Sequence, residues 1–305
     1  MTTCSRVCRI KRIPAANGFV SGRGALFRGW AAASLLGLLV SGCATATLDQ
    51  AGSLRSYDNM EQSDGMLTRS KLRVSKDEVL AAKTIRIVPT VFSDGTAVPF
   101  TAAQRRLVTN AADRALCAGL SERFYVVASE PADLTVHAVI THVVPTDPTA
   151  VGVSKGVSVA KTILLPGVPV PVPRIPVGLG SLSLEAEARD SAGQQKAAMV
   201  WGRAASAFDN GRMSEEGDAY GLAASFGGDF SQMLVTGVTP FGGVPSMPSM
   251  QRLGFLLGGA PKYPACEAFG RAPGLVGMVG DSAGVPPDWT DKGPVAKADE
   301  PAPGQ

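Results

Sequence analysis

The chain has 305 residues, 45% of them hydrophobic and only 6% aromatic, with a formal charge of +3. Six basic and no acidic residues lie before Cys43, so the remainder holds 23 basic against 26 acidic residues, a net charge near −3. That balance argues against a basic nucleic-acid-binding face, and the few aromatics argue against stacking platforms for sugars or bases.

The first element is a leader. Arg6, Arg9, Lys11, Arg12, Arg23 and Arg28 precede the apolar run Ala31–Val40. A run of about ten apolar residues is half the length needed to cross a bilayer. Behind a basic segment it reads as the h-region of a signal peptide. Val40-Ser41-Gly42-Cys43 resembles a bacterial lipobox, with cleavage between Gly42 and Cys43 and lipidation of Cys43. This predicts a signal peptide over 1–42 and acyl chains that anchor the protein in a membrane. Ala44 follows where Asp would signal inner-membrane retention, so the expected location is the bacterial outer membrane, facing the periplasm.

Cys4 and Cys8 leave with the leader, and Cys43 carries lipid. Only Cys117 and Cys266 remain, in a compartment where disulfides persist. They are expected either to pair or to sit as two unrelated buried thiols.

Residues 43–54 read as a short tether. Beyond it, Tyr57-Asp58-Asn59-Met60, Asp64-Gly65-Met66-Leu67-Thr68 and Ser70-Lys71-Leu72 follow in order. Together with a strand at Thr84–Pro89 and the later Asp218-Ala219-Tyr220, this pattern resembles the bacterial lipoproteins grouped as domain of unknown function 3313. The resemblance runs from Leu54 to Val235. It implies an envelope location and an α/β domain, and carries no reaction with it.

Within that domain, expected over 55–235, Lys83–Phe92 reads as a strand interrupted by Pro89. Thr101 and Gln104 form a capping-box pattern for a helix running to about Ala118, with Gly119 suited to its C-terminal stop. Phe124–Ala128 and Leu134–Val144 read as two further strands. The second carries Leu134, Val136, Ala138 and Ile140 on one face. Residues 148–180 are rich in Val, Gly and Pro, and the run Pro166–Gly178 predicts an extended, polyproline-like loop. Leu182–Asp190 and Gln195–Ala207 alternate as a hairpin, with Met199 and Trp201 inward and Glu185 and Glu187 on a solvated face. Ser214 is the expected cap of a last helix, whose stripe is Ala219, Leu222, Ala223, Phe226, Phe230 and Met233.

The fold expectation is α+β: a two-layer sandwich of about five mostly antiparallel strands with two helices on one face. A Gly- and Pro-rich, loose extension over 236–305 follows it.

No catalytic residue, metal set or cofactor motif stands out. Gly152-Val153-Ser154-Lys155-Gly156 matches G-x-S-x-G, but both histidines precede it and no strand-turn-helix context supports a nucleophile elbow. His137 and His142, five apart on one strand, point to opposite faces unless a bulge intervenes. The expected role is a non-enzymatic binding or assembly accessory, held to the membrane by its N-terminal lipid. Its candidate contact with an envelope protein is the apolar loop 148–180, unless that loop is buried internally. The alternative is a periplasmic hydrolase or ligand-binding protein whose pocket, under the loop, would gather His137, Glu185 and Glu187.

Overall fold

The structure is a computed structural model. It describes residues 46–48, 50–96, 98–129, 131–164, 173–243, 247–291 and 293–294. Gly42 and Cys43 therefore lie outside the described residues, as does the proline-rich 165–172.

The strands are β1 (Glu61–Gln62), β2 (Thr68–Val74), β3 (Thr84–Ile87), β4 (Val91–Phe92), β5 (Tyr125–Val127), β6 (Leu134–Val144), β7 (Ser181–Asp190) and β8 (Gln195–Ala204). The helices are α1 (Lys76–Ala81), α2 (Ala102–Leu120), α3 (Pro148–Leu164), α4 (Gly217–Thr236), α5 (Met250–Leu256), α6 (Gly274–Ala283) and α7 (Pro287–Thr290). The sheet order is β1-β2-β8-β7-β6-β3-β5, with β4 also paired to β6. From β1 through β6 every pair is antiparallel, and only β3, β4 and β5 join in parallel.

The fold is thus α+β, with α2 and α4 on one face, and the sheet has eight strands where about five were expected. Three departures account for the difference. Pro89 cannot donate to the ladder and divides the 83–92 strand into β3 and β4. Two further strands, β1 and β2, come from the segment that carries the family-like motif. There Asp64 receives the Ser70 N–H at 2.9 Å and Gly65 N–H bonds Thr68 O at 2.8 Å, which turns β1 into β2. The Ser70 N–H, and then the Gln62 amide, hold the Asp64 pKa below the usual carboxylate value.

Inward residues of β6, β7 and β8 build the core. Leu134, Val136, Ala138 and Ile140 meet Leu182, Leu184, Ala186 and Ala188, then Met199 and Trp201, all buried against the helices. The Trp201 ring meets Phe226 edge-on at 5.7 Å, and its indole N–H donates to Asp229 at 2.8 Å. That bond closes the core on an aromatic that would otherwise bury an unpaired donor.

Helices α2 and α4 run parallel. Gln104 reaches Glu216 at their N-terminal ends (2.8 Å), and Gly119 packs on Ser231 near their C-terminal ends. The Thr101–Gln104 capping box is formed. Two cap assignments change. Gly119 lies inside α2, where a Cβ would sit 2.5 Å from the Ser231 Cβ, so its role is close helix approach and not a C-terminal stop. Ser214 precedes α4 by a turn and accepts the Gly217 N–H on its carbonyl, while Glu216 holds the cap position.

Residues 148–164 form a helix, where an extended loop was expected. The prolines that argued for extension lie further on. At the start, Pro148 occupies the first helical position, where a missing N–H costs nothing. Asp147 caps it by accepting the Thr149 N–H at 2.8 Å and the Ala150 N–H at 3.3 Å.

Beyond 236 about half of the described residues are helical, and the segment is docked, in place of the loose extension expected there. Cys266, in a 3-10 turn at Pro264–Phe269, forms a disulfide with Cys117 of α2, their Cα atoms 5.9 Å apart across 149 residues of sequence. Further along, Asp291 receives the Tyr220 hydroxyl at 2.7 Å and pairs with Arg114, all three side chains buried.

The helix crossing generates one prediction. A Cβ at Gly227 would stand 2.8 Å from Ala112 O and 2.9 Å from Leu116 N, whereas at Gly221 it would meet nothing within 4 Å. Gly227→Ala should lower the unfolding free energy by about 1–3 kcal/mol through forced separation of the helices. Gly221→Ala should raise it by about 0.5–1 kcal/mol through helix propensity. Urea denaturation checks both, and equal effects would overturn the close-crossing account.

A second prediction concerns pH. Asp113 of α2 is buried and accepts the Thr90 backbone N–H (2.9 Å) and hydroxyl (2.5 Å), pinning the β3–β4 bend. Burial, opposed by those hydrogen bonds, pushes its pKa up to about 7. A raised folded-state value means that folding takes up a proton above the unfolded pKa. The stabilisation is complete below about 4 and is lost as pH rises through about 7. Wild type should therefore lose stability relative to Asp113→Asn between pH 5 and 8, by about 1–4 kcal/mol. Denaturation at several pH values tests this, and parallel curves for the two proteins would refute it.

Candidate functional site

The sheet's second face is polar and carries Glu185 and Glu187 of β7. Solvent was expected there. Instead residues 46–48 and 50–57 lie across this face, and the two side chains are 0% and 1% exposed. The described residues of the tether expected over 43–54 are therefore part of a strap packed on the sheet.

Apolar contact sets the strap's position. Leu54, with Leu48, Tyr57 and Met60, packs on Ala198 and Val200 of β8. Near its start the strap crosses Gly202, where a Cβ would come within 2.9 Å of Thr47 O, and Ser183 donates its hydroxyl to the same oxygen at 2.7 Å.

The carboxylates then bind its backbone. Glu185 accepts the Ala51 N–H at 2.8 Å, the Ser53 N–H at 3.1 Å, the Tyr57 hydroxyl at 2.7 Å and the Ser53 hydroxyl. Glu187 accepts the Arg55 N–H at 3.0 Å and the Gln195 amide at 2.6 Å, and it pairs with Arg189. The alternate N–H groups at 51, 53 and 55 all turn toward the sheet, as in an extended strand. Two side chains of β7 thus supply the acceptors that a neighbouring strand would offer. Burial and then Glu185 raise the Tyr57 pKa, which keeps that hydroxyl a donor.

The strap has a direction. Thr47 lies by Gly202 and Ser183, at the end of the sheet where β6 and β8 finish and β7 begins, and Arg55 lies toward the β7–β8 turn. The first end also holds the loop 148–180. There Arg174 makes a two-pronged ion pair with Asp218 (2.8 and 3.1 Å), both side chains buried. Asp218 also accepts the Gly180 N–H at 2.9 Å, and its own N–H donates to Thr146 at 3.0 Å. The loop's end is therefore locked to the first turn of α4. Its outer surface remains apolar, with Val153, Val157, Ile175 and Val177 exposed. Internal burial and an outward face, weighed as alternatives, both occur.

Ser154 of the G-x-S-x-G match lies inside α3. Its hydroxyl donates to Ala150 O at 2.8 Å and accepts the Ile175 N–H at 3.1 Å, so it fastens the loop to the helix. A bulge between Ile140 and His142 reverses the parity of β6. His137 pairs with Glu187 and His142 with Ser183, so the two rings share the second face and do not oppose each other. Four register steps, roughly 13 Å, still separate them. Among the described residues no group of His, Cys, Asp and Glu is placed to hold a metal.

A surface cleft of about 650 Å³ is lined by Arg86, Thr135, His137 and Arg189 at the β7–β8 turn. It lies at the opposite end of the sheet from loop 148–180. Glu185 and Glu187 are not among its lining residues, so the pocket imagined under the loop is not assembled from these three side chains.

A family profile described as "Protein of unknown function (DUF3313)" matches residues 49–230. The chain belongs to this family. No curated protein sequence matches it. Among solved structures, this DUF3313 chain is similar to a PelC dodecamer from Paraburkholderia phytofirmans, at 10% identity and a TM-score of 0.30 over 58% of this chain and 97% of that one. It is also similar to a DUF4136 family protein from Bacteroides thetaiotaomicron, at 11% identity and a TM-score of 0.29 over 57% and 99%. Similarity at that level assigns no property to the DUF3313 chain. The family match begins inside the strap, at residue 49, and so takes in Ala51, Ser53, Arg55 and Tyr57.

The strap yields a prediction. Glu185→Ala removes the acceptor for two backbone N–H groups and two hydroxyls, and each buried donor left unpaired costs about 1–3 kcal/mol. The strap should lift, and trypsin should cut after Arg55 at least tenfold faster than in wild type. Unchanged cleavage would show that apolar packing alone holds it.

Proposed function

We propose that this DUF3313 protein is a lipoprotein anchored through Cys43 in the outer membrane and facing the periplasm. There it serves as a non-enzymatic binding or envelope-assembly accessory. The observation that carries this reading is the strap. The lipobox ends three residues before Ala46, and from Ala46 the chain is already packed on the sheet. An anchor joined to so short a connection fixes which end of the domain faces the membrane. Acyl chains supply the anchor, each buried methylene contributing about 0.8 kcal/mol. Among the described residues no helix is long and apolar enough to cross a bilayer.

The accessory role is supported by what the described polar groups do. Glu185 and Glu187 hold the strap, Ser154 holds the loop, and Asp218 and Arg174 hold each other. The outer face of loop 148–180, with Ile175 and Val177 exposed, is the surface for an envelope partner.

The test is membrane fractionation and intact mass of wild type against Cys43→Ala under native expression. Wild type should carry a diacylglyceryl mass and sediment with the outer membrane, and the variant should lose both. An unacylated wild type in the soluble fraction would overturn the reading.

A further inference from the structure

Helix α6 is built inside out. Its sequence, GLVGMVGDSA, turns its glycines toward the protein, with Gly274, Gly277 and Gly280 buried. Its large apolar residues turn outward: Leu275 is 64% exposed, Val276 66%, Met278 58% and Val279 69%. The glycines permit close seating, since a Cβ at Gly280 would stand 2.6 Å from the Thr290 methyl. Trp289, in the adjoining α7, is 67% exposed. A surface helix ordinarily shows the reverse pattern, apolar stripe inward and polar face outward.

This face is not loosely held. Arg212 pins α6 from beneath through Asp281 (3.1 Å) and Gly277 O (3.3 Å). Lys155 of α3 donates to Ser282 O at 2.8 Å, capping the helix's C-terminal carbonyls. Just past the helix, Met213 N–H bonds Gly284 O at 2.8 Å.

Those contacts also place it. Gly284 touches Gly211, Gly211 packs on Arg174, and the Arg174 N–H bonds Ala207 O three residues beyond β8. Thr47, at the strap's start, lies on Gly202 near the end of the same strand. The C-terminal end of α6 is thus at the end of the sheet where the chain from Cys43 arrives. Three connecting residues span at most about 11 Å.

We propose that the outward face of α6, with Trp289, lies in the headgroup and upper acyl region of the membrane leaflet that holds the Cys43 lipid. It makes a second, non-covalent contact that sets the domain's orientation. The proposal rests on the anchored-lipoprotein reading for its choice of occupant. A short amphipathic helix with Leu, Val and Met outward and a Trp alongside has the chemistry of an interfacial segment.

The test uses the purified, acylated protein in vesicles of phosphatidylethanolamine with a minority of phosphatidylglycerol, some made with brominated acyl chains that quench tryptophan. Trp201 is buried in the core and serves as the internal constant. Trp289 should be quenched by roughly twofold. Trp289→Phe should abolish the quenching, and Leu275→Glu with Val279→Glu should abolish it while the protein still floats with the vesicles. Both glutamates replace exposed side chains, and an unchanged circular dichroism spectrum certifies the fold. Vesicle-bound protein with no Trp289 quenching would overturn the proposal, as would shielding of Trp289 by a second copy detected by crosslinking. Should the protein prove unacylated, the same vesicles are added to it. Quenching would then support the α6 contact without the anchor, and its absence would overturn it.

Discussion

Two carboxylates on the polar face of the sheet set the terms for the rest of the chain. Glu185 and Glu187 lie on the central strand β7, flanked by β6 and β8, so no neighbouring backbone can satisfy them. Left under a protein cover without donors, each would cost several kcal/mol. The strap supplies four donors to Glu185, and Glu187 draws on the strap, Gln195 and Arg189. Deletion of the strap would therefore expose charges and unpaired hydrogen-bonding groups together. The apolar contact of Leu54 on Val200 gives the strap its place, and the carboxylates give it its register.

The same pattern recurs on the helix side. Arg174–Asp218 fixes the loop, Arg114–Asp291–Tyr220 fixes the C-terminal segment, and Cys117–Cys266 ties that segment to α2 covalently. Buried ion pairs contribute little net stability because desolvation offsets their attraction, but breaking one strands a charge. In this protein each such pair joins a peripheral segment to the central layers. Their effect is to specify where a loop, strap or tail sits.

The sheet core and the two principal helices were legible from residue pattern alone. The alternation in β6 and β7, the capping box at Thr101 and the apolar stripe of α4 are local signals with one reading each. What escaped was decided by segments distant in sequence. Glu185 and Glu187 alternate like residues on a wet face, and only the return of residues 46–57 makes them buried. Gly119 looks like a helix stop until Ser231 arrives against it. The reversal of parity at the β6 bulge leaves no mark in the sequence. Asp147-Pro148 is itself a local helix-start signal, and the prolines that follow 165 outweigh it in the composition of 148–180.

A rigid start to the domain changes what the exposed surfaces mean. If the first residues after Cys43 were a free linker, the domain would tumble and no apolar face would have a preferred neighbour. With Ala46 buried and Thr47 hydrogen-bonded to Ser183, the connection can be only a few residues long, and the domain's orientation is limited by reach. Two exposed apolar surfaces lie at the end of the sheet where the strap begins: the α6 face, with its glycines inward and its large side chains turned out, and the face of loop 148–180 bearing Ile175 and Val177. Under the proposed anchor the first is the one offered to lipid and the second the one offered to protein. If the chain is anchored at Cys43 as proposed, releasing the clamp through Glu185 would uncouple that anchor from the orientation of the domain.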